Sequence, residues 1–370
     1  MINTINSRTS RVNFQQQNKQ FDLQLFLIVS VLVGFGLLIV YDASTIQALR
    51  DFQDSYYYIR QQMIWAFLGF LSLFIFANLD YRKFKPIAFP MMIFSLLLLV
   101  AVFIPGLGVS GGGAHRWLRF GPISIQPAEI IKLTGVIFLA TLFEKKVKLF
   151  PFVVFVGVVS LITAVFQKDL GSTIVFALTS AIIYFYSNAP MLHFLLVLPV
   201  GIVAVLVLIF TSPYRLKRVL AFLDPFSDTQ GFTYHISQVL IALGSGGLFG
   251  LGLSHSRQKF EYIPEVTTDS IFGIVGEELG FAGAMFLIML FIVLVFKGLK
   301  IAQNCSDNFG KILAVGLISW LGVQVVINLS SMVALMPLTG VPLPFISYGG
   351  SALVANLTAV GILLNISKNN

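Results

Sequence analysis

The stretch MLHFLLVLPVGIVAVLVLIF occupies residues Met191–Phe210 and contains no Asp, Glu, Lys or Arg. A helix needs about 20 predominantly apolar residues to cross the hydrocarbon core of a bilayer, so this stretch predicts a membrane-spanning helix. The rest of the chain agrees, since 57% of its 370 residues are hydrophobic and only 11% are charged. Soluble domains carry about 25% charged residues, so the composition indicates an integral membrane protein.

Similar apolar segments recur along the whole chain, and no soluble domain is inserted among them. The predicted fold class is an all-α polytopic membrane protein with about ten transmembrane helices. We expect a polar tail over residues 1–21 and a single transmembrane domain over residues 22–367. The ten segments are Leu23–Tyr41, Met63–Leu79, Ile87–Ile104, Ala128–Phe143, Pro151–Phe166, Gly171–Tyr186, Met191–Phe210, Ile271–Phe296, Ile312–Met336 and Gly349–Ile366.

Lysine and arginine are distributed unevenly between the two sides of this predicted bundle. Thirteen lie on the side of the N-terminus, five lie in short loops on the other side, and five more lie in the long loop 211–270. Cytoplasmic loops are enriched in Lys and Arg, so both termini are predicted to be cytoplasmic. The long loop, between helices 7 and 8, is then predicted outside. Because topology accounts for the net charge of +8, no nucleic-acid partner is expected.

Acidic side chains gather at the predicted outer ends of the helices. A charge at the bilayer centre costs on the order of 2.5–3.5 kcal/mol, so charged residues within spanning segments usually mark a functional cavity. The outer face is therefore the predicted place of activity. The acids concerned are Asp42, which is expected to close the first helix, with Glu129, Asp169, Asp269, Glu277 and Glu278.

Some of these features also have simpler interpretations. Glu129 and Lys132 are three residues apart on a helix and could form only a local ion pair. One of the adjacent pair Glu277 and Glu278 could cap a neighbouring segment or face water. The stretch IALGSGGLFGLGL (Ile241–Leu253) lacks the Lys-Ser/Thr of a phosphate-binding loop, so its glycines predict close backbone packing.

Five stretches of the chain resemble motifs of the SEDS family (shape, elongation, division and sporulation), which includes FtsW, RodA and SpoVE. The similarity runs from about Phe21 to Ser367 with the same order and helix layout. The motifs are GAHRWLRFGPISIQPAEIIK (Gly113–Lys132), QKDLGSTIV (Gln167–Val175), RVLAFLDPFSDTQGFTYHISQVLIALGSGGLFGLGL (Arg218–Leu253), SRQKFEYIPEVTTDSIFGIVGEELG (Ser256–Gly280) and TGVPLPFISYGGSALVANLTAVGILLNIS (Thr339–Ser367).

The resemblance implies a peptidoglycan glycosyltransferase that polymerises lipid II at the outer face of the bacterial cytoplasmic membrane. It also implies a class B penicillin-binding protein as partner, together with other divisome or elongasome proteins. The last motif and the polar tail favour a division role, as in FtsW, over an elongation role, as in RodA. The resemblance establishes no cofactor and leaves a divalent cation open.

The resemblance also implies roles for particular residues. The essential acid of the family falls on Asp269, its Glu and Lys after the QP of the fourth helix fall on Glu129 and Lys132, and its acid in the QPDLG turn falls on Asp169. Glu277 is expected to help organise the cavity behind Asp269. The chemistry agrees, since sugar transfer needs a general base and pre-placed cations for a departing pyrophosphate. The candidate cations are Arg116, Lys132, Arg257 and Lys259.

The chain departs from the family motifs in two stretches. The usual QPDLG has Lys168 in place of Pro, and the usual PEPHTDF has Thr267 in place of His and Ser270 in place of Phe. The role of that His in orienting the acid is therefore open here, with Thr267 or Thr268 as the alternative hydrogen-bond partners.

Two other functions remain open from the residues alone. A protein with this many helices and buried acids could transport the lipid-linked precursor as a flippase, although transporters typically show inverted repeats and charges near the midplane. A non-catalytic scaffold would explain partners but not the clustered acids.

Overall fold

The computed structural model describes residues 21–111, 114–121, 123–228, 231–258 and 263–369. The predicted tail therefore lies outside the described residues apart from its last position, Phe21. Asp22 donates its backbone N–H to the Ser367 Oγ at 3.1 Å. The start of the first described helix and the end of the last thus lie on the same side of the bundle, as the predicted topology requires.

Helices dominate the described part of the chain, and one small sheet accompanies them. Their bounds are α1 Leu23–Phe52, α2 Tyr57–Asn78, α3 Phe84–Ala101, β1 Gly108–Gly111, β2 Ala114–Phe120, β3 Ile123–Ile125, α4 Pro127–Phe143, α5 Leu149–Leu161 with a π-helical continuation Ile162–Phe166, α6 Leu170–Tyr186, α7 Met191–Phe210, α8 Pro213–Leu223, α9 Tyr234–Ser245, α10 Ile271–Asn304, α11 Asn308–Met332 and α12 Gly350–Lys368.

Within the described residues, eight spans are long and apolar enough to cross a membrane, and they comprise α1, α2, α3, α5, α7, α10, α11 and α12. Helices α4 and α6 have 17 residues each, which is about the minimum for a spanning helix. Each of the ten predicted segments coincides with one of these helices. The prediction of an all-α polytopic membrane protein is thereby confirmed.

The centre of the bundle is formed by α11 and α12, most of whose residues are buried, whereas α7 has no buried residue. Helix α12 packs along α2, and small residues make the close approach possible. A Cβ atom at Gly361 would lie 2.5 Å from the Leu73 carbonyl oxygen. The exposed side chains of α7 are apolar, as expected for a helix that faces lipid.

Helix α1 is longer than its apolar run, so the expectation that Asp42 closes it is wrong. The helix continues to Phe52 because Ala43, Ser44 and Ala48 provide a buried face beyond the acid. Hydropathy marks where lipid contact ends and does not mark where backbone hydrogen bonding ends. Asp42 accepts a hydrogen bond from Ser254 Oγ at 2.8 Å and so ties α1 to the long loop.

The sheet between α3 and α4 was not predicted from the sequence. Its strands are antiparallel in the order β1-β2-β3. Gly121, with φ of 61°, lies in the tight turn between β2 and β3, where a positive φ favours glycine. Strand β2 carries Arg116, whose Nη2 donates to the Lys168 carbonyl at 2.7 Å. The sheet therefore fixes a cation beside the turn that precedes α6.

Helix α10 is interrupted at Gly280, where φ is 66° and ψ is −166°. Such a break leaves N–H and C=O groups without helical partners. The backbone of the Gly-rich segment Ile241–Leu253 supplies those partners. The amides of residues 281 and 282 donate to the carbonyls of 247 and 248, and the amides of 251 and 252 donate to the carbonyls of 277 and 278, all at 2.9–3.0 Å.

This pairing depends on glycines on both sides. A Cβ atom at Gly250 would lie 2.0 Å from the Glu278 carbonyl oxygen, and one at Gly280 would lie 2.3 Å from the Gly250 nitrogen. Side chains cannot be accommodated at such distances. The prediction that these glycines serve close backbone packing is confirmed.

Candidate active site

Asp269 lies in the turn immediately before α10, and only 6% of it is exposed. Its backbone carbonyl accepts a hydrogen bond from Asn328 Nδ2 at 2.8 Å, which fixes the turn to α11. Its Oδ1 has only long contacts with the flanking hydroxyls, at 3.4 Å from Thr268 Oγ1 and 3.5 Å from Ser270 Oγ. The backbone is therefore held firmly, while the carboxylate is left with weak hydrogen bonds.

The environment of Asp269 favours its neutral form. Burial, and next the charge of Glu265, raise the pKa of Asp269 to about 6, while Arg218 acts in the opposite direction. A carboxyl group with a pKa close to the working pH is well suited to accept a proton during a reaction. A buried acid of this kind is also a common mark of an active site.

Arg218 of α8 borders the same small space as Asp269. A Cβ atom at Gly340 would lie 3.7 Å from Asp269 Oδ2 and 3.8 Å from Arg218 Nη1. The guanidinium also donates to the Leu338 carbonyl at 2.9 Å and lies over the ring of Tyr214. An acid and a fixed cation thus meet beside the segment that joins α11 to α12.

A cavity of about 190 Å³ adjoins this arrangement, between α6, α7, α8 and residues 336–339. One part of its lining is apolar and the other is strongly basic, and none of the described residues that line it is acidic. Burial, and next the charge of Arg116, lower the pKa of Arg215. Cations that repel one another in this way favour an anionic ligand. The basic residues are Arg116, Lys168, Arg215 and Arg218, and the apolar ones include Leu170, Ile174, Val205 and Ile209.

Asp169 lies at the start of α6, where it has a capping role. Its Oδ1 accepts from the Ser172 amide at 3.1 Å, and its Oδ2 accepts from Gln126 Nε2 at 3.4 Å. The preceding Lys168 has φ of 57°, which proline cannot adopt. The turn that reads QKDLG therefore has a backbone conformation that a QPDLG turn cannot share, and its lysine adds a cation to the cavity.

Glu129 and Lys132 form the local ion pair, and the pair is completely buried, with 0% and 2% of the residues exposed. Lys132 Nζ donates to Glu129 Oε1 at 2.6 Å and to Gln324 Oε1 at 2.8 Å. Gln324 in turn donates to the Pro342 carbonyl at 3.0 Å. The pair does not line the cavity. It joins α4 and α11 to the segment that carries Gly340.

Glu277 and Glu278 hold the loop that precedes the site. Glu277 accepts from the backbone amides of Arg257 and Gln258 at 3.0 and 3.3 Å and from the Ser256 hydroxyl, while Glu278 Oε1 accepts from the Ser256 amide at 3.0 Å. The side chain of Arg257 is exposed and does not line the cavity. The structure therefore does not bring Glu277 or Arg257 to Asp269.

Two further predictions concern cations. Lys259 lies outside the described residues. Among the residues that the structure does describe, no three His, Cys, Asp or Glu side chains are grouped so as to hold a metal ion.

Comparison with known sequences gives a consistent result. The model of the FtsW/RodA/SpoVE family, described as cell cycle proteins, matches residues 23–370. Stage V sporulation protein E of Bacillus subtilis is 40% identical, over 94% of this chain and 97% of that protein. A protein of Geobacter metallireducens named probable peptidoglycan glycosyltransferase FtsW is 36% identical, over 96% of this chain and 98% of its own length.

Comparison with solved structures agrees. A chain of a peptidoglycan synthase complex that coordinates polymerization and crosslinking has a TM-score of 0.78 at 27% identity, over 94% of this chain and 98% of that one. The rod shape determining protein RodA of Thermus thermophilus has a TM-score of 0.70 at 27% identity, over 94% and 97% of the two chains. With a family model that matches nearly the whole chain, this protein is a member of the FtsW/RodA/SpoVE family of cell cycle proteins.

Proposed function

We propose that this chain is a peptidoglycan glycosyltransferase of the cytoplasmic membrane, which polymerises lipid II at the outer face and releases undecaprenyl pyrophosphate. One observation carries the proposal: a buried carboxyl group with a pKa raised to about 6 borders the same space as an arginine that lines a basic and apolar cavity. The names of the relatives support it.

The cavity suits the leaving group of this reaction. The guanidinium groups of Arg116, Arg215 and Arg218 would bind the pyrophosphate, and the apolar lining would take the first part of the polyprenyl chain. Arginine is well suited to phosphate because its planar fork donates two hydrogen bonds at once. The sugars and the rest of the lipid would extend beyond the cavity, toward Asp269 and toward the membrane.

Asp269 would act as the general base. It removes the proton from the acceptor hydroxyl, whose oxygen then forms a bond to the anomeric carbon of the donor sugar. The bond from that carbon to the pyrophosphate breaks, and the electron pair leaves with the phosphate. Arg218 borders Asp269 and also lines the cavity proposed for the pyrophosphate. A single side chain would thus link the base to the charge that develops on the leaving group.

The buried ion pair would support the site from behind. Lys132 reaches Gln324, and Gln324 holds the Pro342 carbonyl, so the pair fixes the segment on which Gly340 lies. We assign Glu129, Lys132 and Asp169 to positioning this cavity and Glu277 to holding the loop before it. The structure of the synthase complex supports a penicillin-binding protein as partner, and the FtsW and SpoVE names of the relatives support a role in division or sporulation.

The test is polymerisation of labelled lipid II by the purified protein, with and without a cognate class B penicillin-binding protein. Asp269→Asn keeps the size of the side chain but removes the base, and loss of a positioned base typically costs about 10²–10⁴ in rate. Glu265→Gln, on the same turn, is the matched control and should cost much less. A flippase would move lipid II across vesicles without making glycan, and polymerisation by Asp269→Asn at the parent rate would refute the assignment.

A further inference from the structure

The hydroxyl of Ser270 lies between the carboxylate of Asp269 and the imidazole of His235, which belongs to α9. Ser270 Oγ is 2.5 Å from His235 Nε2 and 3.5 Å from Asp269 Oδ1. A serine hydroxyl has a single proton, so it can donate to only one of these two groups.

Two facts make the imidazole the better-placed acceptor. Burial, and next the charge of Arg218, lower the pKa of His235 to about 4. The ring is therefore neutral at neutral pH, and one of its nitrogens can accept a hydrogen bond. A contact of 2.5 Å is a strong hydrogen bond, whereas 3.5 Å is at the outer limit for an O–H donor. When the imidazole proton is on Nδ1, Nε2 is therefore the nearer acceptor for the Ser270 hydroxyl.

The other hydroxyl beside Asp269 is diverted in the same way. Thr268 Oγ1 lies 3.4 Å from Asp269 Oδ1, but it lies 2.9 Å from Glu265 Oε2 and 3.1 Å from the Glu265 carbonyl. Both neighbouring donors thus have a nearer acceptor than the proposed catalytic carboxylate.

We propose that neutral His235, with its proton on Nδ1, is a positioning residue whose Nε2 accepts the Ser270 hydrogen bond and so keeps Asp269 a strong enough base for the transfer reaction. A hydroxyl that donates to a carboxylate stabilises the charged form and weakens the base. The inference rests on the proposed function, since it concerns the same acid. Among the residues that the structure describes, the other charged groups that act on Asp269 are Glu265 and Arg218, which oppose each other, and the charge of Arg218 also acts on His235.

The test is the pH dependence of kcat/KM for lipid II polymerisation by the complete chain, reconstituted in vesicles. The base works as the carboxylate, so activity rises with pH through the pKa of Asp269. In His235→Phe, Ser270 is free to donate to Asp269, and the acid limb should move to lower pH by on the order of half to one unit. The plateau rate should fall several-fold, because a weaker base transfers protons more slowly.

Matched variants separate this effect from packing. His235→Gln has an amide oxygen that can accept the Ser270 proton, so it should keep the parent profile. Ser270→Ala removes the donor and should also keep the parent acid limb. In the double variant His235→Phe with Ser270→Ala, the acid limb should lie at the same pH as in Ser270→Ala alone. A loss of packing alone would lower activity at every pH without this dependence on residue 270.

Several outcomes would overturn the inference. They are an unshifted or upward-shifted acid limb in folded His235→Phe, a downward shift that persists in the double variant, or an upward shift in Ser270→Ala. If His235→Phe does not fold, Ser270→Ala and His235→Gln still decide the question. Asp269→Asn separates a failure of the proposed function from a failure of this inference. Activity in Asp269→Asn refutes the proposed function. If Asp269→Asn is inactive and the acid limb of His235→Phe does not shift, only the role of His235 is refuted.

Discussion

Lys132→Met would remove the cation from the ion pair inside the bundle and leave the Glu129 carboxylate without it. Lys132 is 2% exposed, Glu129 is 0% exposed, and the ammonium also donates to Gln324. Breaking a buried pair by removing one partner typically costs about 3–5 kcal/mol, because the remaining charge stays buried. Whole domains are stable by only about 5–15 kcal/mol. The single variant should therefore unfold at a much lower temperature than the parent.

The assay is thermal unfolding of purified variants in one detergent, followed by helical circular dichroism and paired with lipid II polymerisation at a permissive temperature. The double variant Glu129→Gln with Lys132→Met removes both charges and should recover most of the lost stability. Lys145→Met changes an exposed lysine and is the matched control, expected within about 0.5 kcal/mol of the parent.

The opposite pattern would refute this reasoning. If Lys132→Met unfolded at the parent temperature but made no glycan, the ammonium would act on substrate, as the sequence-based prediction has it. The same conclusion would follow if the double variant regained stability and remained inactive.

Three further predictions follow from the fold. Gly280→Ala should destabilise the protein by at least about 2 kcal/mol, since φ there disfavours a side chain and the new Cβ would meet the Gly250 nitrogen. The control in the same thermal assay is Gly244→Ala, whose new Cβ would meet nothing within 4 Å. Lys168→Ala should raise KM for lipid II several-fold with a smaller change in kcat, and an unchanged KM would place the lysine outside the lipid site. Reporter fusions at Lys146 should read cytoplasmic and one near Asp228 external; an external result at Lys146 would reverse the proposed orientation.

The sequence predicted the helices well because each spanning helix must be apolar along its length. It did not predict the sheet or the extension of α1, since hydropathy reports contact with lipid and not backbone conformation. The glycines of residues 241–253 were assigned correctly to close packing. Their partner, the break at Gly280, could not be predicted, because a positive φ leaves no trace in composition.

The candidate site was predicted in part. Asp269 was identified from its motif, but its burial and the nearby Arg218 are visible only in the structure. Arg215 and Arg218 were counted only as loop charges, because tertiary contacts determine where their side chains lie. Arg218, for example, donates to the carbonyl of Leu338, which is 120 residues away. Gln324, which lies 192 residues from Lys132, was missed for the same reason.

The break in α10 has a consequence for how the protein is made. Residues 281–304 form an apolar helix that can partition into the bilayer as it leaves the translocation machinery. The shorter half, residues 271–279, carries Glu277 and Glu278, and its terminal carbonyls are satisfied only when residues 247–252 reach them. We therefore expect two stages, with insertion of the long half followed by docking of the short half onto the folded extracytoplasmic segment. The turn that carries Asp269 would reach its final position only in the second stage.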